Sequence, residues 1–296
     1  MRALALSLLA LLACLPARAG GTAPHPLDGT IWNVAAGERI DREALARRLA
    51  EADIAILGET HDNAEQHRAQ AWLIGRLHPA GIAFEMIPRA KEAAVAAHLA
   101  AGGEPGGLGP AIGWEESGWP DWDLYRPLFE AWRPEVYTGG GLPRDALREA
   151  ASAGAAALAL DRFAAVLAEP LDLATRAALE DEMIAAHCDR LPRDAAAGMV
   201  EVQRLRDASF ADAALRAHKA GGSTVLVTGN GHARTDRGVP AYLRAVTPEL
   251  DVLSVGLLET DPDGRVPSDY DTPYDFVWFT APAEREDPCA SFRTGG

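Results

Sequence analysis

Gly58-Glu59-Thr60-His61 and Gly229-Asn230-Gly231-His232 share one spacing, Gly-x-x-His, and each follows a short apolar run that reads as a strand. Glycine lets the backbone turn sharply as it leaves the strand, which delivers the histidine to the strand's end. A further apolar run, Gly81 to Phe84, leads into Glu85, with Arg89 four residues on. Ligands of open α/β sheets bind beyond the carboxyl ends of the strands, so His61, Glu85 and His232 are expected to converge there. Two imidazoles and one or two carboxylates suit a divalent metal with open coordination positions that lowers the pKa of bound water. His61, Glu85 and His232 are its candidate ligands. Without metal, Glu59 and His61 would act as a general acid–base pair, making Glu59, His61, Glu85 and His232 the candidate catalytic residues. The competing reading is structural, with each histidine capping a helix or bonding a backbone carbonyl. The pairing of two such motifs with a strand-terminal carboxylate favours a site.

His67 and Gln70 lie one turn apart on the helix after the first motif and would reach the same place, unless they form a solvated face. A later helix carries Gln203, Arg206 and Asp207. Gln203 and Arg206 share a face as candidate cofactor-binding residues; the alternative is a solvated face with an Arg204–Asp207 pair. His78, His98 and His218 read as ordinary surface or core residues.

The elements that position these groups alternate. Ile54 to Leu57 predicts a strand, and Leu73, Ile74 and Leu77 mark one buried face of the helix that follows. Asn63 and Gln66 read as an N-cap and its reciprocal partner. Gly81 to Phe84 is the next strand, with Pro88 in the first turn of another helix. Ala156 to Leu160 is expected to be a third strand. Thr175 to Arg190 and Asp194 to Lys219 predict two long helices broken at Leu191-Pro192. Thr224 to Val227, Val252 to Leu258 and Phe276 to Phe279 predict strands, and Pro240 to Val246 a helix. Such alternation implies an α/β fold with a mainly parallel central sheet flanked by helices. Ala101 to Pro110 is Gly/Pro-rich loop. Beyond it Trp114, Trp119, Trp122, Tyr125, Phe129 and Trp132 form a helical, Trp-rich insertion. This is either a hydrophobic cap over the sheet or a wall for a flat apolar ligand.

The 296 residues are 48% apolar and 24% charged, which excludes disorder over most of the chain. A net charge of −15 repels phosphate backbones, so nucleic acid is not an expected partner. Arg2, the apolar run Ala3 to Leu15 and Ala17-Arg18-Ala19 have the three-part pattern of a secretory signal peptide over residues 1–19, and its removal takes the charge to −17. Leu11-Leu12-Ala13-Cys14 alternatively resembles a lipobox, with Cys14 as the lipid anchor. Either way the protein is expected to be exported, to the periplasm or as an outer-membrane lipoprotein. Only Cys188 and Cys289 then remain, and an oxidising compartment favours their pairing over two free thiols.

Eight short motifs occur in order: Gly-Glu-Thr-His-Asp-Asn at 58–63, Phe-Glu-Met at 84–86, Ser-Gly-Trp-Pro-Asp-Trp at 117–122, Leu-Pro-Arg at 142–144, His-Cys at 187–188, Gln-Arg-Leu-Arg-Asp at 203–207, Gly-Asn-Gly-His at 229–232 with Gly-Val-Pro at 238–240, and Asp-Pro-Cys at 287–289. Together they resemble the ChaN-like haem-binding uptake family of the Tiki superfamily, as one domain over residues 27–289. The resemblance implies an exported or lipid-anchored bacterial protein of haem and iron uptake, in which a tyrosine ligates the iron; Tyr125 is the candidate here. The superfamily also holds metal-dependent proteases whose two Gly-x-x-His motifs and glutamate map onto His61, His232 and Glu85. More distant are erythromycin esterases, with a Glu and His pair near the first motif. The stretch Tyr137-Thr138-Gly139-Gly140-Gly141 is richer in glycine than the family pattern.

Two functions follow. In the first, haem is bound at the mouth of the sheet, with Tyr125, His61 or His232 on the iron, Trp122 in the aromatic wall, and Arg89 or Arg206 on a propionate. In the second, a metal-dependent hydrolase uses His61, Glu85 and His232 as ligands, with Glu59 moving the proton of the bound water. Haem binding ranks first because the motif order follows that family along the whole chain. Homodimerisation around the ligand stays open.

Overall fold

The computed structural model describes residues 25–158, 161–287 and 289–290. The leader and the lipobox cysteine lie outside these residues. The chain enters through an antiparallel hairpin, β1 (Ile31–Asn33) and β2 (Glu38–Ile40), and then α1 (Arg42–Leu49). It continues through β3 (Ile54–Leu57), α2 (Ala64–Leu77), β4 (Gly81–Pro88), α3 (Glu92–Ala100), α4 (Leu108–Ile112), α5 (Trp122–Ala131) and β5 (Val136–Gly141). The helices α6 (Arg144–Ala153), α7 (Ala164–Ala168), α8 (Leu173–Ala186) and α9 (Arg193–Gly221) precede β6 (Thr224–Val227). After it come α10 (Asn230–Ala233), α11 (Val239–Val246), β7 (Val252–Glu259) and β8 (Phe276–Thr280).

The strands form one sheet in the order β2-β1-β8-β7-β3-β6-β4-β5, parallel from β8 to β5. Strand side chains alternate between two cores. Ala55, Leu57, Ile82, Phe84, Val225 and Val227 face α1 to α5, while Ile54, Ile56, Ala83 and Leu226 face α6, α7, α9 and α11. Burial on both faces explains why these strands read as continuous apolar runs. The Trp-rich insertion belongs to the first core: α5 buries Trp122, Tyr125, Leu128 and Phe129, with Phe129 stacked on Phe84 at 4.4 Å.

Three local expectations change. Ala155–Leu158 is a 3-10 turn, and the missing strand is β5. Its glycines hid it from a β-propensity reading. They are required because β5 lies against both β4 and α9: a Cβ at Gly139 would overlap the Ile87 carbonyl, and one at Gly140 the Phe210 ring. Pro88 ends β4 and opens into a 3-10 turn at Arg89–Lys91, one step short of a helix. Asn63 does cap α2, accepting from the amides of Glu65 at 2.9 Å and Gln66 at 3.1 Å. Gln66 does not reciprocate, because its carboxamide accepts from the Thr60 amide and donates to Thr280 Oγ1.

Candidate functional site

The connections from β3 and β4 run over the first core, and the one from β6 runs through α10 and α11 to the second. Because β6 lies between β3 and β4, the carboxyl end of β6 is a topological switch point, where departing chains leave a crevice. Both Gly-x-x-His loops open into it. They are joined directly, the Asn230 amide donating to the Glu59 carbonyl at 2.8 Å. Gln70 braces the first loop from below by donating to the carbonyls of Leu57 and Gly58. Gly58 sits where side chains meet: a Cβ there would overlap the Asn230 carboxamide and come within 3.1 Å of Ala233 Cβ and the Val255 carbonyl. Gly58→Ala is therefore expected to destabilise by about 1–3 kcal/mol, measured by thermal unfolding.

Glu59 is fully buried and gathers three groups. His61 Nδ1 lies 2.8 Å from its Oε1, and the Tyr125 hydroxyl donates to the same oxygen at 2.9 Å. His67 Nε2 approaches Oε2 to 2.8 Å without hydrogen-bond alignment, so this contact is electrostatic. Burial is the largest influence on the Glu59 carboxyl and works against its charge. The hydrogen bond from His61 and the nearness of His67 outweigh burial and hold the carboxyl at about 2. For His61, burial opposes the charged ring, but the bond to Glu59 and the field of Glu85 raise it above its ordinary value.

The second histidine is backed in the same way by a different carboxylate. His232 Nδ1 lies 2.7 Å from Asp207 Oδ1, and its Nε2 faces Glu85 Oε1 at 3.8 Å. Glu85 is fixed through Oε2, which accepts from Thr228 Oγ1 at 2.7 Å and the Gly229 amide at 2.9 Å. Burial pushes Asp207 up. Burial also disfavours the charged forms of Glu85 and His232, and their mutual attraction, with Asp207 and His61, reverses it; Glu85 ends low and His232 high.

These groups line a cavity of about 1080 Å³, just above the range of about 300–1,000 Å³ for small-molecule pockets. Glu59, His61, Glu85, His232, Gln203 and Arg206 all line it. Tyr125, Trp122 and Arg89 do not. Tyr125 is fully buried behind Glu59, and burial, then the adjacent carboxylate, drives its phenol far above the ordinary range. The Trp122 indole donates to the Gly106 carbonyl. Arg89 is exposed and lies 3.4 Å from Asp212.

Sequence reasoning named Asp207 and Trp119 without finding their partners, and it missed Tyr242. Asp207 partners His232, while Arg204 turns to Glu201 and to the carbonyls of Leu167 and Glu169. Trp119 sets its ring edge-on to His61 at 4.9 Å, and Tyr242 from α11 is the tyrosine that lines the cavity. The Gly238-Val239-Pro240 start of α11 was the only signal for Tyr242, and it says where the helix begins, not which way its side chains point.

Among the described residues, no group of three or more His, Cys, Asp and Glu side chains is placed to hold a metal ion. The divalent-metal site expected at His61, Glu85 and His232 thus has no support. Both Nδ1 atoms and the Oε2 atom of Glu85 are committed to protein partners. Neither Nε2 atom of the two cavity histidines has a hydrogen-bond partner among the described residues: that of His232 faces Glu85 Oε1 at 3.8 Å on a side chain 12% exposed, and that of His61 lies on a side chain 37% exposed, the more accessible of the two. Arg206 forms no ion pair among the described residues, and the buried Gln203 Oε1 lacks a donor. One wall is apolar, with Val166, Leu179, Met183 and Ala186. An open imidazole nitrogen, an unpaired guanidinium and an apolar wall fit an amphipathic, anionic ligand that carries a metal.

The family model for haem-binding uptake, Tiki superfamily, ChaN, matches residues 45–243. A solved structure described as cofacial heme binding to ChaN of Campylobacter jejuni superposes with a TM-score of 0.66 at 18% identity, covering 84% of this chain and 95% of that one. The type III effector HopBA1 aligns with a TM-score of 0.44 at 13% identity, covering 81% and 93% of the two chains. An erythromycin esterase EreC mutant in its open conformation aligns with a TM-score of 0.38 at 15% identity, covering 85% and 82%. No curated protein matches the sequence.

Proposed function

This chain belongs to the haem-binding uptake family of the Tiki superfamily, the ChaN family, and from that premise we propose that it takes haem into the cavity beyond β3, β4 and β6. The observation that carries the reading is His61. Its Nδ1 is held by a buried carboxylate and its Nε2 is left open, the arrangement that orients an imidazole and raises its basicity toward a metal. In this reading His61 would hold the iron, the apolar residues of α8 would meet the macrocycle, and Arg206 would pair with a propionate, with the Gln203 carboxamide beside it. A free cation in so acidic a chain suits a carboxylate ligand. Glu85, His232 and Asp207 form the polar floor. Tyr125 acts through Glu59 and the His61 carbonyl, and Trp122 through the packing of α5.

Export rests on the pattern of residues 1–19, with Cys14 as the alternative lipid attachment point. Among the described residues no helix is long and apolar enough to cross a membrane. The family's description, haem-binding uptake, supports a role in haem uptake as a source of iron. The metal-dependent hydrolase reading loses its ligand set with the metal site.

Titration of the purified protein with haemin tests the proposal. A saturable shift of the Soret band is expected, weakened about tenfold or more in Arg206→Ala through loss of a charge-assisted contact. No spectral change at micromolar haemin would reject it.

A further inference from the structure

Helix α8 is the outer wall of the cavity, and it is anchored in neither core. Thr175, Leu179, Glu182, Met183 and Ala186 recur at helical spacing along its inner face and line the cavity. None of its 14 residues is buried, and Leu173 at its start is 87% exposed. It packs along α9, where Gln203 donates to Met183 Sδ, and its polar ties are ion pairs that each keep a partly exposed member: Arg176 to Glu201 at 2.9 Å, Glu180 and Asp181 to Arg193, and Glu182 to Arg237. Water competes effectively for such pairs. An element with few buried contacts opens more readily than the sheet behind it.

One covalent tie holds it. Cys188, just past the end of α8, is bonded to Cys289, 101 residues away in the C-terminal tail. The tail leaves β8 against the start of α2 and the end of the His61 loop. Ala281 accepts from Asn63, the Ala283 amide donates to Glu259, and Arg285 pairs with both Asp62 and Glu259. The bridge therefore joins the wall to the loop that carries His61. Cys188 and Asp189 both have positive φ, 59° and 57°. Non-glycine residues adopt this backbone state sparsely and keep it only under outside constraint.

We propose that α8 is a movable wall of the ligand cavity and that the Cys188–Cys289 bridge is its latch, so that reduction opens the cavity and releases the ligand. A dithiol reductant supplies two electrons and two protons. The S–S bond becomes two thiols, and the reductant closes its own disulfide. The identity of what is released rests on the haem reading; the movement of α8 does not.

The experiment compares the full chain oxidised, reduced with dithiothreitol, and as Cys289→Ser. Hydrogen exchange is followed in ligand-free protein, and haemin release to a haem-free globin acceptor in loaded protein. Reduction is expected to speed exchange of the α8 amides about tenfold or more while the amides of β3, β4 and β6 keep their protection. Haemin release is expected to accelerate by a similar factor. Unchanged α8 exchange, or a uniform rise over the whole sheet, overturns the latch. Faster α8 exchange with unchanged release overturns its control of the ligand. Should oxidised protein fail to bind haemin, the haem reading falls while the exchange data still decide whether the wall moves. If Cys289→Ser does not fold, chemical reduction of the wild-type chain supplies the comparison.

Discussion

Glu59→Ala is expected to destabilise the folded protein by about 3–5 kcal/mol, the range for removing one partner from a buried charged pair. The carboxylate is the common acceptor for His61 and Tyr125 and the close neighbour of His67. Its loss leaves buried His67 without its neighbouring charge, removes the partner of His61 Nδ1 and leaves the Tyr125 hydroxyl only the His61 carbonyl at 3.2 Å. Glu59→Gln separates charge from shape. Holding the carboxyl at about 2, against a reference of 4.5, contributes about 3 kcal/mol at neutral pH. Because the folded value lies below the unfolded one, this contribution is complete above about 4.5 and drains away as pH falls toward about 2. Urea unfolding at a series of pH values should show wild type losing its advantage over Glu59→Gln across that window. Parallel curves for the two proteins would show that the Glu59 charge contributes nothing to stability.

His61→Ala should lower haemin affinity by about 100-fold or more, since the side chain proposed to hold the iron disappears rather than one of its supports. Tyr125→Phe should cost about tenfold or less, because that hydroxyl orients His61 from behind, through Glu59 and the His61 carbonyl, and does not line the cavity. The two variants thus distinguish an iron ligand from a group that orients it, and a larger loss in Tyr125→Phe than in His61→Ala would reverse the roles. Affinity should also fall as the pH is lowered. Burial opposes the charged ring, but Glu59 and Glu85 outweigh it and raise His61 above its ordinary value of 6.5, so protons compete for Nε2 already as the pH falls through neutrality, and in His61→Ala that dependence should vanish. Absorbance titrations at several pH values check all three expectations.

The glycine stretch at 139–141 shows where sequence reading stops. An edge strand pressed against α9 needs the absence of side chains, and that requirement exists only once β4, β5 and α9 are assembled. The stripe on α9 shows the same limit. Asp207 and Arg204 sit at pairing distance along the helix, yet Arg204 goes to Glu201 and to carbonyls near α7, and Asp207 to His232 across the crevice. The metal expectation failed for a related reason. Residue types suggest a ligand set, but whether their lone pairs are free depends on neighbours such as Thr228 and Asp207.

By itself the sequence determined the alternation of strands and helices, the delivery of His61, Glu85 and His232 to one end of a parallel sheet, and the Cys188–Cys289 pairing. Hydrophobic period, turn residues and cysteine count are properties of the chain that survive without knowledge of its neighbours. Only the tertiary structure decided that Asp207 backs His232, that Tyr125 is sealed behind Glu59, that Arg206 faces the cavity while Arg89 does not, and that α8 closes the outer side. Those outcomes depend on how each helix is rotated about its axis and layered on the sheet, which is set by contacts between residues tens to hundreds of positions apart.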